Sequence, residues 1–294
     1  MIQTRLEALT AGAGADALSF SGTVHSVFAR SCNIAVAPDR LLGLVAREIG
    51  AVPRGFTLAT PAGFDFAATI GAGRRATARN GVLRIDGAAL AVDLRTARPW
   101  RSNLPDAAIA LGDAGTARAW RAAWAALDRH GGATPFASAA AAPVQTLAAA
   151  SRSGERAALA HAVARLIGLG DGLTPAGDDF LIGFLAGLWS AAPVRARDAR
   201  AAVGETVAAN AARTGTISRH YLEAAIDGEV SAPLARLAAV IGGGDAAGAE
   251  EAAAAALSVG ASSGAAASYG LLLAAALMGQ FPVLPLLPGH AARR

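Results

Sequence analysis

The sequence predicts an α+β protein: an antiparallel β-rich domain, a small sheet or barrel, over residues 1–100, followed by a mainly α-helical domain over 101–294. Three observations carry this. Up to about residue 95, short apolar runs are broken by turn residues at close intervals, the spacing of strands joined by tight turns rather than by the long crossovers of a parallel sheet. Beyond the two-proline connector 95–105 (RTARPWRSNLP), apolar residues recur at helical spacing and alanine dominates. The longest apolar runs, near 180–192 and 264–278, fall short of the roughly 18 residues expected of a membrane span and are interrupted by Gly, Ser or Tyr, so they read as core helices.

In chain order, residues 1–17 are Ala/Gly-rich and read as a short lead-in. Strands follow at about 24–29, 34–37 and 41–46. Asn80-Gly81 lies between the runs 76–79 and 82–85 and is a strong hairpin signal. Asp86-Gly87 is a second turn, leading into 88–94. The spacing then predicts a helix over 107–129, with Trp120, Trp124 and Leu127 on one stripe and Gly131-Gly132 ending it. Residues 133–146 read as a loop or short helix, and 151–167 as an amphipathic helix. Further helices are predicted over 175–189, 198–210, 213–227, 233–241, 246–257 and 265–278. The Pro-rich tail reads as irregular.

Composition excludes several function classes. All 26 basic residues are arginine, so a Walker A lysine, a Schiff-base lysine and a pyridoxal-phosphate linkage are impossible. The arginines are scattered, with few aromatics among them, so the pI near 10.4 does not read as a nucleic-acid footprint. Cys32 is the only cysteine, which rules out an internal disulfide and a multi-cysteine zinc site and fits a cytoplasmic protein. No signal peptide is evident. The five histidines never fall at short metal-ligand spacing. Cys32 reads as a small buried residue and His25 as a strand histidine.

The chain is organised around Gly168-Leu169-Gly170-Asp171-Gly172-Leu173-Thr174-Pro175-Ala176-Gly177-Asp178-Asp179. Alternate glycines permit a tight turn and close backbone approach. Thr174 reads as an N-cap and Pro175 as the first helical residue. The following stretch, 180–189, carries no charge, so both carboxylates head a buried helix, where they are costly unless paired, bonded or used. Asp179 shares its stripe with Gly183 and Gly187, a face suited to close helix packing. The third fingerprint glycine is missing and no strand precedes the loop, so a dinucleotide fold is rejected.

Two other helix starts resemble this one: 213–218 and 260–264. If all three met, their N–H groups and partial positive charge would favour an anion. Gly170, Gly172, Thr174, Gly177, Arg213, Thr214, Thr216, Ser218, Ser262 and Ser263 are the candidate substrate- or anion-binding residues. Taken singly, Ser262, Ser263, Thr216 and Ser218 read as ordinary caps rather than ligand contacts. Asp178 and Asp179 are candidate catalytic residues, either as ligands of Mg²⁺ or as a general base raised by burial; spacing does not decide between these. His220 is a candidate acid–base partner.

The motif from Gly168 to Leu181, with Arg213 to Leu222 and Gly260 to Gly264, resembles the bacterial AllH-type family, long listed as a domain of unknown function. Ala261-Ser262-Ser263-Gly264 stands where that family more often has His-Thr-Ser-Gly. The resemblance implies a subunit of an oxamate carbamoyltransferase of allantoin breakdown, one of purine catabolism. Such an enzyme phosphorolyses oxalurate to oxamate and carbamoyl phosphate together with partner subunits. Its ligands would be phosphate, carbamoyl phosphate, oxamate or oxalurate, with Arg213 neutralising an anion and Asp178 or Asp179 handling a proton or a metal. The competing expectations are a non-catalytic docking subunit and a carboxylate-binding sensor.

Overall fold

In the computed structural model, residues 4–15, 17–131, 134–192 and 195–279 are described. The chain divides into two compact units, Met1–Ser102 and Asn103–Arg294.

The first unit is a barrel built from β1 (Thr4–Gly12), β2 (Phe20–Phe28), β3 (Ser31–Ala37), β4 (Arg40–Ala46), β5 (Gly55–Leu58), the short helix α1 (Phe66–Thr69), β6 (Arg75–Arg79), β7 (Val82–Ile85), β8 (Leu90–Asp93) and β9 (Arg98–Trp100). The strand order is β5-β4-β3-β2-β6-β7-β8-β1-β9, and a further β1–β5 pairing closes the first eight into a ring. Asn80 and Gly81 both have positive φ, as the expected two-residue hairpin turn requires. Leu6, Val24, Ile34, Leu44, Phe56, Leu83 and Leu90 fill the barrel.

Two expectations are corrected here. The lead-in over 1–17 contains strand β1, which pairs with β5, β8 and β9. Leu6 and Ala8 point inward while Glu7 stays exposed, and this short alternation is hidden by the surrounding Ala and Gly. Gly12 lets the strand pass the 50s loop, since a Cβ there would lie 1.9 Å from the Val52 carbonyl oxygen. Secondly, the sheet is mixed. Most pairings are antiparallel, as expected, but β1–β8 and β1–β9 are parallel because β1 enters the ring between strands distant in sequence, and β4–β5 is parallel across the connection 47–54.

The second unit is helical: α2 (Ala114–His130), α3 (Thr134–Ala139), α4 (Ala141–Ser153), α5 (Arg156–Leu166), α6 (Ala176–Ser190), α7 (Arg195–Asn210), α8 (Thr216–Ile226), α9 (Ala232–Gly242), α10 (Ala246–Leu257) and α11 (Ser263–Met278), with 3₁₀ turns at Leu104–Ala107 and Ala211–Arg213. The helix expected from 107 starts late, because Asp113 caps it by accepting from the Thr116 N–H at 2.9 Å. The helix expected over 151–167 is two, since Gly154 adopts a left-handed conformation that ends α4. The Pro-rich tail and Gly132 lie outside the described residues.

Helices α6 and α11 form the centre of this unit. A Cβ on Gly183 would sit 1.8 Å from the Ala267 carbonyl oxygen, and one on Gly270 would sit 2.1 Å from that of Phe180. The two backbones therefore touch, as the glycine stripe below Asp179 predicts. Phe180 packs on Tyr269, with ring centroids 5.2 Å apart. Trp120 of α2 donates its indole N–H to the Leu272 carbonyl at 2.9 Å. Among the described residues, no helix is long and apolar enough to cross a membrane.

Candidate functional site

The glycine loop ends α5 and delivers the chain to α6. Gly168, Gly170 and Gly172 all have positive φ, of 74°, 111° and 93°, a region that costs other residues about 1 kcal/mol or more. Gly177 permits a second close approach: a Cβ there would be 2.1 Å from the Leu166 carbonyl oxygen. The N-cap of α6 is Pro175, with no side-chain cap, one residue later than the sequence expectation. Thr174 is thus freed from capping. Its Oγ1 lies 3.1 Å from Ser263 Oγ at the start of α11.

The two aspartates divide their work. Asp178 is fully buried. Its Oδ1 accepts from the Gly168 N–H at 2.8 Å and its Oδ2 accepts from the Thr214 hydroxyl. It clasps the glycine loop to the segment that leads into α8. The loop also packs directly on that segment, since a Cβ on Gly168 would lie 3.1 Å from the Arg213 carbonyl oxygen. Asp179 is 7 % exposed, and its Oδ2 is buried without a hydrogen-bond partner. Burial pushes its carboxyl up to about 7 and the neighbouring Asp178 charge adds to this, while the hydroxyls of Ser263 and Thr174 pull the other way.

The three helix starts therefore meet, through Asp178–Thr214 on one side and Thr174–Ser263 on the other. None of them is capped by a side chain: the N-caps of α6, α8 and α11 are Pro175, Gly215 and Ser262, without side-chain cap bonds. The ordinary-cap reading of these hydroxyls fails for this reason. The α6 end is nevertheless no open anion cradle. The N–H of Gly177 donates to the Leu169 carbonyl, and those of Asp178 and Asp179 donate to the Pro175 carbonyl.

The family comparisons fall on the same segments. The family described as oxamate carbamoyltransferase subunit AllH matches residues 166–275, and the AllH family N-terminal domain matches residues 5–99. The chain belongs to the AllH family. No curated protein and no solved structure matches it. The larger match runs from the end of α5 into α11 and so contains all three helix starts of this AllH-family chain. The smaller one spans the barrel.

The other expected residues fall as follows. Arg213 is exposed, and its Nη1 donates to the Ala164 carbonyl at 2.8 Å, so the guanidinium ties the 3₁₀ turn to α5. Gly170, Gly172 and Ser262 are exposed, and Thr216 is half-buried at the start of α8. Ser218 is 1 % exposed with an unpartnered Oγ, and His220 is buried edge-on to the Tyr221 ring. Both oxygens of Asp178 are taken up by hydrogen bonds. Among the described residues, no group of three or more His, Cys, Asp or Glu side chains is placed to hold a metal ion.

Sequence reasoning overlooked the Gly168 N–H, whose role appears only once the loop is folded. It also overlooked Ser268, a buried hydroxyl without a partner on α11. A lone serine in the apolar run 265–278 was the available signal. Away from this junction, Cys32 is fully buried, with its thiol pushed up to about 12 by burial, and His25 is exposed on β2.

Proposed function

We propose that this AllH-family chain is a working subunit of a carbamoyltransferase that phosphorolyses an oxalurate-type ureido acid, with Asp179 moving the proton. The supporting observation is Asp179 itself: a buried carboxyl with one unpartnered oxygen, raised to about 7, where three uncapped helix starts converge. Cleaving the ureido C–N bond requires a proton on the departing amide nitrogen. A carboxyl with a pKa near the working pH can give that proton and take it back. The heads of α8 and α11 supply partial positive charge for the substrate carboxylate or the phosphate. Thr214 serves the clasp on Asp178. The family description is of a subunit, so the complete enzyme contains further chains. A single, buried, unreactive thiol suits the reducing cytoplasm.

The test is carbamoyl phosphate formation from oxalurate and phosphate by the full chain purified with its partner subunits. Asp179→Asn should abolish turnover while leaving the fold intact. Full activity in that variant removes Asp179 from the chemistry.

A second reading is favoured by Leu173, which is 58 % exposed at the tip of the glycine loop. An apolar side chain held out beside the acid pair suits docking of a partner subunit onto a non-catalytic chain. In that case Leu173→Asp should dissociate the complex, and Asp179→Asn should leave turnover unchanged.

A further inference from the structure

We propose that Ser263 is the nucleophile of the carbamoyl transfer, with Asp179 as its base and Thr174 holding the pair in register. The proposal rests on the carbamoyltransferase reading above and deepens it. An activated serine needs a base within hydrogen-bond reach and a third group that orients the base. Here the hydroxyls of Ser263 and Thr174 both stand against the Asp179 carboxylate, and the two hydroxyl oxygens are 3.1 Å apart.

Accessibility separates their roles. The unpartnered Oδ2 of Asp179 is sealed from solvent, so a substrate can exchange a proton with this carboxyl only at the oxygen that faces Ser263 and Thr174. Ser263 is half-buried, so its hydroxyl is reachable where the acid's Oδ2 is not. It is also the first residue of α11, where the partial positive charge of a helix start favours a developing alkoxide. Its neighbour Ser262 is exposed and caps nothing. Thr174 is a poorer candidate, because its Cβ branch crowds an attacking oxygen.

The step balances. The Ser263 Oγ–H proton passes to the Asp179 carboxylate as Oγ attacks the ureido carbonyl carbon. The Oγ–C bond forms and the C–N bond breaks. The departing amide nitrogen takes the proton from Asp179, releasing oxamate and leaving a carbamoyl ester on Ser263. Hydrogen phosphate then attacks the ester carbon, the C–Oγ bond breaks, and the phosphate proton returns through Asp179 to Oγ, giving carbamoyl phosphate. No oxidant, reductant or further co-reactant is needed.

A covalent carbamoyl-serine makes the first half-reaction reversible without phosphate. The test therefore uses the full chain in its complex, with isotopically labelled oxamate and unlabelled oxalurate in phosphate-free buffer. The expected result is label exchange into oxalurate, together with a peptide carrying Ser263 that is heavier by one carbamoyl group. Ser263→Ala should lose both and should slow phosphorolysis by on the order of 10³-fold or more, whereas Ser258→Ala, at the exposed end of α10, should keep both. Ser263→Cys keeps a nucleophile of similar size and should restore peptide modification, even if the alanine variant folds poorly. Turnover with phosphate but neither exchange nor modification in the unmutated complex overturns the serine intermediate and leaves the carbamoyltransferase reading standing. Absence of any turnover removes both.

Discussion

Replacing Asp179 with asparagine should stabilise the protein, by an amount that grows with pH. An acid whose pKa is raised by folding holds its proton more tightly folded than unfolded. It costs no stability below its unfolded value of 3.8, and folding becomes progressively less favourable as pH climbs toward its folded value of about 7. Each pKa unit is worth ~1.4 kcal/mol, so above pH 7 the wild-type carries a penalty of roughly 4 kcal/mol for this one carboxylate. The charge facing Asp179 is that of Asp178 on its own helix, which adds to the penalty. Ser263 from α11 and Thr174 from the glycine loop contribute uncharged hydroxyls. Asparagine does not titrate, so the variant escapes the penalty. Melting curves of both proteins between pH 4.5 and 8 supply the assay. In a helical unit of this size, about 1 kcal/mol moves the melting temperature by roughly 2–4 °C, and the penalty grows by about 3 kcal/mol between pH 4.5 and 8, so the gap should widen by roughly 6–13 °C over that range. The widening is the diagnostic quantity, because a constant offset reports only how well an amide fits the site. A gap that stays flat with pH, or narrows as pH rises, refutes the assignment of Asp179 as a buried acid with a raised pKa.

Three further outcomes follow from the packing. Gly183→Ala should destabilise by roughly 1–3 kcal/mol despite the better helix propensity of alanine, because the new Cβ would meet the Ala267 carbonyl oxygen at 1.8 Å; Gly243→Ala, where a Cβ meets nothing closer than 3.5 Å, is the control and should melt unchanged or slightly higher. Thr214→Val should cost about 1–3 kcal/mol in a denaturant titration, because it strips a buried Asp178 oxygen of its donor, and Thr214→Ser should recover most of that. Cys32, buried with its thiol pushed up to about 12, should ignore a thiol reagent at pH 8 in the native protein and react once the chain is unfolded.

The site was legible in the sequence to the extent that chemistry is written locally. Glycines at alternate positions, two carboxylates before an uncharged run and a glycine stripe below Asp179 already imply a buried acid in a close helix seam, and α6 against α11 has that form. The division of labour between Asp178 and Asp179 was not legible, because it depends on which carboxylate meets the Gly168 N–H and Thr214, and Thr214 is 36 residues away. The role of Thr174 was misread for a related reason. A Thr-Pro pair before a helix is a sound capping signal, but the loop closes one residue later and releases the hydroxyl to Ser263. The tie from Arg213 Nη1 to the Ala164 carbonyl spans 49 residues and was likewise not legible. In the barrel, the hairpins were readable from their turns. Strand β1 was not, because two inward residues in an Ala/Gly-rich stretch give too short an alternation, and its partners lie far along the chain.

That placement of β1 has a kinetic consequence. Thr4 pairs with Leu90 and Thr10 with Arg98, so the barrel's first strand cannot complete its pairing until about ninety further residues have been translated, roughly 5–20 s at ordinary rates of synthesis. Strands β2, β3 and β4 can zip locally in the meantime and β1 can join β5 once that strand is made, but the other edge of β1 stays open to any passing strand until β8 arrives. The barrel is therefore a late-closing ring whose latch is its earliest segment. Deleting or sterically blocking residues 4–12 should leave an open sheet that aggregates during synthesis, even though its hairpins are intact.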